Sequence, residues 1–181
     1  MTQERNTPEI RFSGFAEAWK YMPLGELGFA TSGVGFPERE QGGLDGTPFF
    51  KVSDMNVAGN ETALNRANHY VTEGQVSKNG WKPISGVPAL AFAKVGAAVM
   101  HNRKRLVPVP FLLDNNMMAY SLGAQWDVGF AQAKFETIDL TTLTQVGALP
   151  SIKAPDLEAM EVSIPDNLGE QRQIGSFFSH L

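Results

Sequence analysis

The amino-acid sequence predicts an α+β domain in which a twisted, mixed β-sheet is flanked by helices. Two observations carry this prediction. Strand-like and helix-like stretches do not alternate regularly along the 181 residues, which argues against a doubly wound parallel sheet. Hydrophobic residues make up 43% of the chain and charged residues 19%, which is enough apolar material for one packed core.

The first half of the chain predicts the opening strands and a long loop. Residues 1–18 form a polar leader, and 19–30 mixes aromatic and apolar residues that start the fold. Residues 31–48 are rich in glycine and hold two prolines, so we expect a loop, either functional or an ordinary surface loop. Residues 48–55 are aromatic and β-branched and predict a strand. Polar, turn-rich sequence follows over 56–82.

The middle of the chain predicts further strands. Continuous apolar runs over 87–93 and 96–101 indicate two buried strands. Residues 105–113 alternate, but their two prolines cannot donate to a ladder, so this stretch is an edge strand or extended segment. Residues 117–123 predict another strand.

Two helices and a strand follow. Asp127 can cap a helix over 127–138 whose apolar residues fall on one stripe. Residues 154–165 predict a short helix that turns into a strand and stops at Pro165.

The last segment, 166–181, predicts a helix that Asp166 or Asn167 can cap, with an apolar face at helical spacing. The residues of this face are Ile174, Phe177, Phe178 and Leu181. Either the face packs on its own domain, or the segment is the truncated start of a longer helix that pairs with another helix in a coiled coil.

Charge is distributed unevenly along the chain. The formal net charge is -4, yet no Asp or Glu lies between Glu73 and Asp114. That window therefore carries +6 and the rest of the chain −10. Its cations are Lys78, Lys82, Lys94, Arg103, Lys104 and Arg105. We expect them to form a single positive surface for nucleic acid; the alternative is a solvated strand face balanced by acids elsewhere.

Motifs for catalysis and for metal binding are missing. Cysteine is absent, and His69, His101 and His180 do not form a metal-ligand pair. No P-loop, complete dinucleotide fingerprint or nucleophile elbow is present. We therefore expect no catalytic residue, no metal and no cofactor, with a hydrolase built on an unrecognised triad as a minor alternative. No apolar run approaches the roughly 20 residues of a membrane helix, so we expect a cytoplasmic protein without membrane contact.

What remains is binding chemistry around residues 91–116. Arginines here can make bidentate bonds to guanine or phosphate, lysines suit phosphates, and asparagines can read adenine or close turns. A glycine in the preceding loop would let the backbone approach a groove. The candidate DNA contacts are Ser32, Gly33, Lys51, Lys94, His101, Asn102, Arg103, Lys104, Arg105, Asn115 and Asn116. With five or six phosphate contacts, log K should fall with log salt at a slope of about −5.

Several stretches together resemble one half of a type I restriction–modification specificity subunit. Each is only moderately specific, but their order and spacing match that family over nearly the whole chain. They are "PEIRFSGFAEAWKYMPLGEL" (8–27), "PFFKVSDM" (48–55), "FAKVGAAVMHNRKR" (92–105), "DNNMMA" (114–119), "GALPSIKAPDLEAMEVSIP" (147–165) and "EQRQIGSFFSHL" (170–181).

The resemblance implies a target recognition domain over 19–165, followed over 166–181 by the start of a long coiled-coil helix. It implies double-stranded DNA as the ligand, with modification (methyltransferase) subunits and a restriction subunit as partners and a second half-subunit as a further one. No catalytic centre is implied for such a chain. The competing interpretation is a protein–protein module that assembles through the last helix, with the basic window incidental.

Overall fold

The computed structural model describes residues 7–144 and 149–180, and the prediction for Leu181 therefore lies outside the described residues. Within these ranges the chain is an α+β domain with nine strands and five α-helices, which confirms the predicted fold class. The strands are β1 (Lys20–Pro23), β2 (Gly28–Ser32), β3 (Thr47–Phe50), β4 (Tyr70–Val71), β5 (Ala89–Ala93), β6 (Lys104–Val107), β7 (Leu112–Leu113), β8 (Met117–Leu122) and β9 (Glu161–Ile164). The helices are α1 (Leu24–Leu27), α2 (Glu73–Asn79), α3 (Val128–Glu136), α4 (Ala154–Glu158) and α5 (Leu168–Ser179).

The core is built on an antiparallel four-stranded sheet in the order β2-β8-β5-β6. The two central strands are buried on both faces, which explains why β5 and most of β8 are continuous apolar sequence. Strand β6 lies at the edge and stops before Pro108, as the prolines predict. Residues 62–64 run beside this edge, where Leu64 N donates to Leu106 O at 2.8 Å.

Two smaller sheets complete the strands. Antiparallel β1 and β9 pair with Lys20 opposite Ile164, which brings the N-terminal segment beside the start of α5. The second has the order β4-β3-β7 and is mixed, because β3 pairs antiparallel with β4 and parallel with β7. Its core is aromatic: the Phe36 and Phe49 rings stack at 3.6 Å, and Trp81 packs edge-on against both.

Helices α3 and α5 pack against each other at two glycines. Asp127 caps α3 by accepting from Phe130 N at 3.0 Å, and Asn167 caps α5, as the sequence predicts for both. A Cβ on Gly175 would lie 2.5 Å from Phe130 N. The helix backbones are therefore as close as two glycines allow.

The prediction was wrong for three segments. Residues 97–101 form a 3₁₀ turn rather than a strand, because Gly96 takes a positive φ of 80° and starts a tight turn there. Residues 52–56 also form a 3₁₀ turn, since the Asp54 carboxylate accepts from Lys51 N and ends strand β3. Helix α2 was missed because it buries none of its residues and so has no apolar stripe.

None of the helices in the described ranges has the length and apolar character that a bilayer crossing requires.

Candidate nucleic-acid interface

Most predicted DNA contacts meet at one end of the four-stranded sheet. Strands β2 and β5 finish there and β6 and β8 begin there, since Phe92 pairs with both Lys104 and Met118, and Ser32 also pairs with Met118. The chain segments that leave this end carry Gly33, Lys94, Asn115 and Asn116, and residues 101–103. We name this surface the sheet end and define it by Ser32, Lys51, Lys94, His101, Arg103, Asn115 and Asn116.

Lys94 sits at the centre of the sheet end. Its N–H donates to Asn116 O at 2.8 Å, and its carbonyl accepts from Ile152 N at 2.9 Å. The lysine is half-buried and Asn115 is exposed beside the turn. Asn116 is tied down by Asp114, whose Oδ1 accepts from Asn116 N at 3.0 Å.

Lys51 reaches the same surface from the neighbouring sheet. Phe50 O accepts from Asp114 N at 2.9 Å, which places the next residue, Lys51, beside the turn that Asp114 begins. Burial raises the pKa of Asp114, while its hydrogen bonds from Asn116 and the charge of Lys51 act in the opposite direction. The Lys51 ammonium donates to Gln41 Oε1 at 3.1 Å and is only half-buried.

Arg103 ties the two parts of the surface together. Its Nη1 donates to Asn56 Oδ1 at 2.7 Å, and Asn56 belongs to the 3₁₀ turn that follows Lys51. Its Nε is buried and has no hydrogen-bond partner among the described residues. His101 is exposed one turn earlier. The described residues give the guanidinium one hydrogen bond, from Nη1, so its two terminal nitrogens keep N–H donors for a ligand.

The structure corrects the prediction for Lys104. Its side chain is 3% exposed, and its Nζ donates to Ile138 O at 2.7 Å. Burial lowers its pKa, partly offset by Glu136 and Asp139. An ammonium group in this position packs between β6 and the end of α3 and does not reach a phosphate.

Asn102 and Gly33 are also explained by local structure. Asn102 adopts a left-handed conformation with φ 51°, and its amide donates to Ile138 O and accepts from Leu140 N. Both polar atoms of that amide are therefore used inside the protein. At Gly33 a Cβ would lie 1.8 Å from Asp114 O, so glycine is needed where two backbones meet rather than where a groove approaches.

The acid-free window does not form the single positive surface that the sequence predicts. Lys94 and Arg103 lie at the sheet end, whereas Lys104 and Arg105 line a groove beside α3. Lys78 belongs to α2 and pairs with Glu40 at 3.2 Å. The cations of one sequence window are separated because strand, turn and helix carry them to different faces.

One cation was missed by the sequence. Val95 bridges to Ser151, and Gly96 N donates to Pro150 O at 2.9 Å, so the 150–153 segment runs beside Lys94. Lys153 is exposed there and adds a positive charge to the sheet end. No local pattern marks it, because the pairing joins segments that are far apart in the chain.

The apolar face of α5 is divided. The helix packs on its own domain through Gln171, Gly175 and the half-buried Ile174, while the Phe177 and Phe178 side chains stay 53% and 54% exposed. Gln171 accepts from Asp127 N at 2.8 Å and donates to the carbonyl of Pro165 at 2.8 Å. Pairing of the two phenylalanines with a partner helix stays a prediction.

The N-terminal segment clamps the first turn of α5. The Arg11 guanidinium binds the buried Glu170 carboxylate through Nε at 2.6 Å and Nη2 at 2.7 Å, and Trp19 Nε1 donates to the same carboxylate at 3.2 Å. Among the described residues no group of three or more His, Asp or Glu side chains is placed to hold a metal ion.

No protein-family model and no curated protein matches the sequence. Solved structures match its fold. The type I restriction-modification S subunit from M. genitalium superposes with a TM-score of 0.63 at 16% identity, over 96% of this chain and 41% of that one.

Two further structures give the same result. One, of a type I R-M system described for its complex assembly and conformational transition, has a TM-score of 0.70 at 13% identity, over 93% of this chain and 40% of that one. The HsdS subunit from Thermoanaerobacter tengcongensis has a TM-score of 0.57 at 12% identity, over 96% of this chain and 39% of that one. At these identities the likeness shows the fold, and this chain spans about two fifths of the neighbours' length.

Proposed function

We propose that this chain is a target recognition half of a type I restriction–modification specificity subunit. It binds double-stranded DNA at one half of a two-part site, without catalysis of its own, and directs modification and restriction subunits there. The observation that carries the proposal is the fold shared with S subunits over more than nine tenths of this chain. Assembly with a second half-subunit and a cytoplasmic location belong to the same proposal.

The sheet end is the DNA-contacting surface in this proposal. Lys51, Lys94 and Lys153 are lysines at or beside this surface and suit phosphate oxygens. Arg103 has the planar donor set that matches O6 and N7 of guanine in the major groove. Hydrogen bonds to bases or sugars come from the polar side chains of the same surface, Ser32, His101, Asn115 and Asn116.

Backbone pairing makes the sheet end a rigid platform. Lys94 is held between Asn116 and Ile152 by main-chain bonds, and Arg103 by its contact with Asn56. The Lys94 backbone and the Arg103 side chain, fixed in this way, lose little conformational entropy on binding. Loops on a rigid scaffold are the usual place for recognition residues.

The test compares two arginines that are two positions apart. A duplex is first selected from a random-sequence library, and its affinity is then measured by fluorescence anisotropy. We expect Arg103→Ala to weaken binding about tenfold to hundredfold, at about 1–3 kcal/mol for a bidentate pair. Arg105→Ala removes the same charge from the groove beside α3 and should change affinity less than about threefold.

Two outcomes contradict the proposal. In one, no duplex is enriched over the random pool. In the other, Arg105→Ala weakens binding as much as Arg103→Ala, which would remove the sheet end as the DNA surface. Circular dichroism of both variants checks that the fold is retained.

A further inference from the structure

We infer that the groove between α3, α5 and β6 binds an acidic amphipathic peptide segment of a protein partner. The groove has a volume of about 820 Å³ and is open to solvent. This size is typical of ligand-binding sites. It is lined by β6 residues that the sequence assigned to DNA, and it is a different surface from the sheet end.

The lining of the groove is largely apolar. Leu90, Phe130 and Ile174 form buried or half-buried parts of its wall, and Trp19 lines it from the N-terminal segment. Phe178 stands at the rim with 54% of its side chain exposed. Apolar side chains of a ligand gain free energy by covering such rings, at about 25 cal/mol per Å².

In the described part of the chain, the two half-buried cations of this lining lack an ion-pair partner. Among the described residues, neither Arg105 nor Lys134 has a carboxylate within 4.0 Å. Within residues 7–144 and 149–180, Arg105 Nη1 donates only to Lys104 O at 2.9 Å, and its Nε is buried without a partner. Burial lowers the pKa of Lys134 and is the main cause of the lowered pKa of Arg105. Partly desolvated cations beside apolar walls favour a carboxylate as the missing partner.

The two acids in the lining, Glu61 and Glu136, do not supply this carboxylate partner. Glu61 accepts from Gly59 N at 3.1 Å within its own loop. Glu61 and Glu136 both act on Arg105, and Glu136 also on Lys104, but only as charges beyond ion-pair distance. The lining holds three cations, Lys104, Arg105 and Lys134, against these two acids, so it carries one net positive charge.

The occupant is a protein segment rather than DNA. A duplex presents phosphates but no apolar side chains, so it would leave the apolar part of the wall uncovered. A segment with apolar residues at i, i+3, i+4 and acidic residues between them satisfies both parts of the lining. The inference does not depend on DNA binding at the sheet end.

A displayed library of random 16-residue peptides is the probe. Wild-type protein is the bait, and the Lys134→Glu variant removes peptides that bind elsewhere. We expect enrichment of peptides that combine Leu or Phe with Glu or Asp. A fluorescein-labelled peptide from this pool should bind wild type at least tenfold more weakly when its acids become amides. The unmodified peptide should also bind the Lys134→Gln and Phe178→Ala variants at least tenfold more weakly than it binds wild type.

Lys153→Gln is the matched control, because it removes one exposed lysine at the sheet end. It should leave peptide affinity unchanged. The inference is overturned if no acidic, apolar pool survives the counter-selection, or if the amide peptide binds equally well. It is also overturned if duplex DNA displaces the peptide, or if the enriched peptides match residues 168–180 and the protein dimerises, which would assign the groove to DNA or to a second copy.

Discussion

Adding one methyl group where α3 meets α5 should destabilise the domain. A Cβ on Gly175 would lie 2.5 Å from Phe130 N and 2.6 Å from Gly129 C. Both neighbours are main-chain atoms, which cannot turn away as a side chain can. Gly175→Ala therefore forces α5 to move outward and loosens the bonds that Gln171 makes at the same interface.

The expected magnitude follows from two opposing terms. Overpacking a close contact costs about 1–3 kcal/mol, and clashes with main-chain atoms place this site at the upper end. Alanine is better than glycine inside a helix by about 1 kcal/mol. The net loss is about 2 kcal/mol, which for a chain of this size lowers Tm by about 4–8 °C.

Urea and thermal unfolding followed by circular dichroism measure this loss. The matched control is Gly74→Ala in the first turn of α2, where the nearest atom to an added Cβ is Thr72 Oγ1 at 3.8 Å. It has the same propensity gain without the clash, so it should be neutral or stabilising by up to about 1 kcal/mol. A Gly175→Ala variant as stable as wild type would refute the close packing of the two helices.

Three further changes test individual residues. Asn102→Ala should lower the free energy of unfolding by about 3 kcal/mol, because it removes two hydrogen bonds and places alanine in a left-handed backbone conformation. Asn102→Gly should lower it by about 2 kcal/mol, because glycine adopts that conformation without strain. Denaturant titration measures both losses. Because burial lowers the pKa of Lys104, the unfolded chain binds more protons than the folded one in this pH range. The free energy of unfolding of wild type should therefore rise relative to that of Lys104→Met as pH increases toward 10.5. A difference between the two proteins that does not change with pH would contradict this. Hydrogen bonds from Gln75 and Lys78 lower the pKa of Glu40. The stability that wild type gains over Glu40→Gln should therefore be fully present above pH 4.5 and decline below it. A stability difference that grows in acid would be inconsistent with this.

Much of the fold was predictable because apolar pattern and caps are local signals. Strands β5 and β8 are continuous apolar runs, and Asp127 and Asn167 mark the starts of α3 and α5. The 97–101 turn was not predictable from the sequence, since its apolar composition suits a strand equally well. The feature that distinguishes the turn from a strand is the positive φ of Gly96.

The candidate site was less predictable, because exposure depends on distant partners. Lys104 and Arg103 are neighbours in a basic run, yet the carbonyl of Ile138 holds one inside while Asn56 holds the other at the sheet end. Lys153 joins Lys94 only through the pairing of Val95 with Ser151. Sequence spacing contains none of these contacts.

The salt dependence of duplex binding tests the proposed DNA surface most directly. Of the described residues, four cations lie at or beside this surface: Lys51, Lys94, Arg103 and Lys153. Four phosphate contacts give a slope d log K/d log[salt] of about −4. The double variant Lys94→Gln, Lys153→Gln should bring the slope to about −2. The control Lys20→Gln, Lys134→Gln removes two lysines from β1 and from the groove beside α3, and should leave the slope unchanged. An equal slope for wild type and the first double variant would contradict DNA binding at the sheet end.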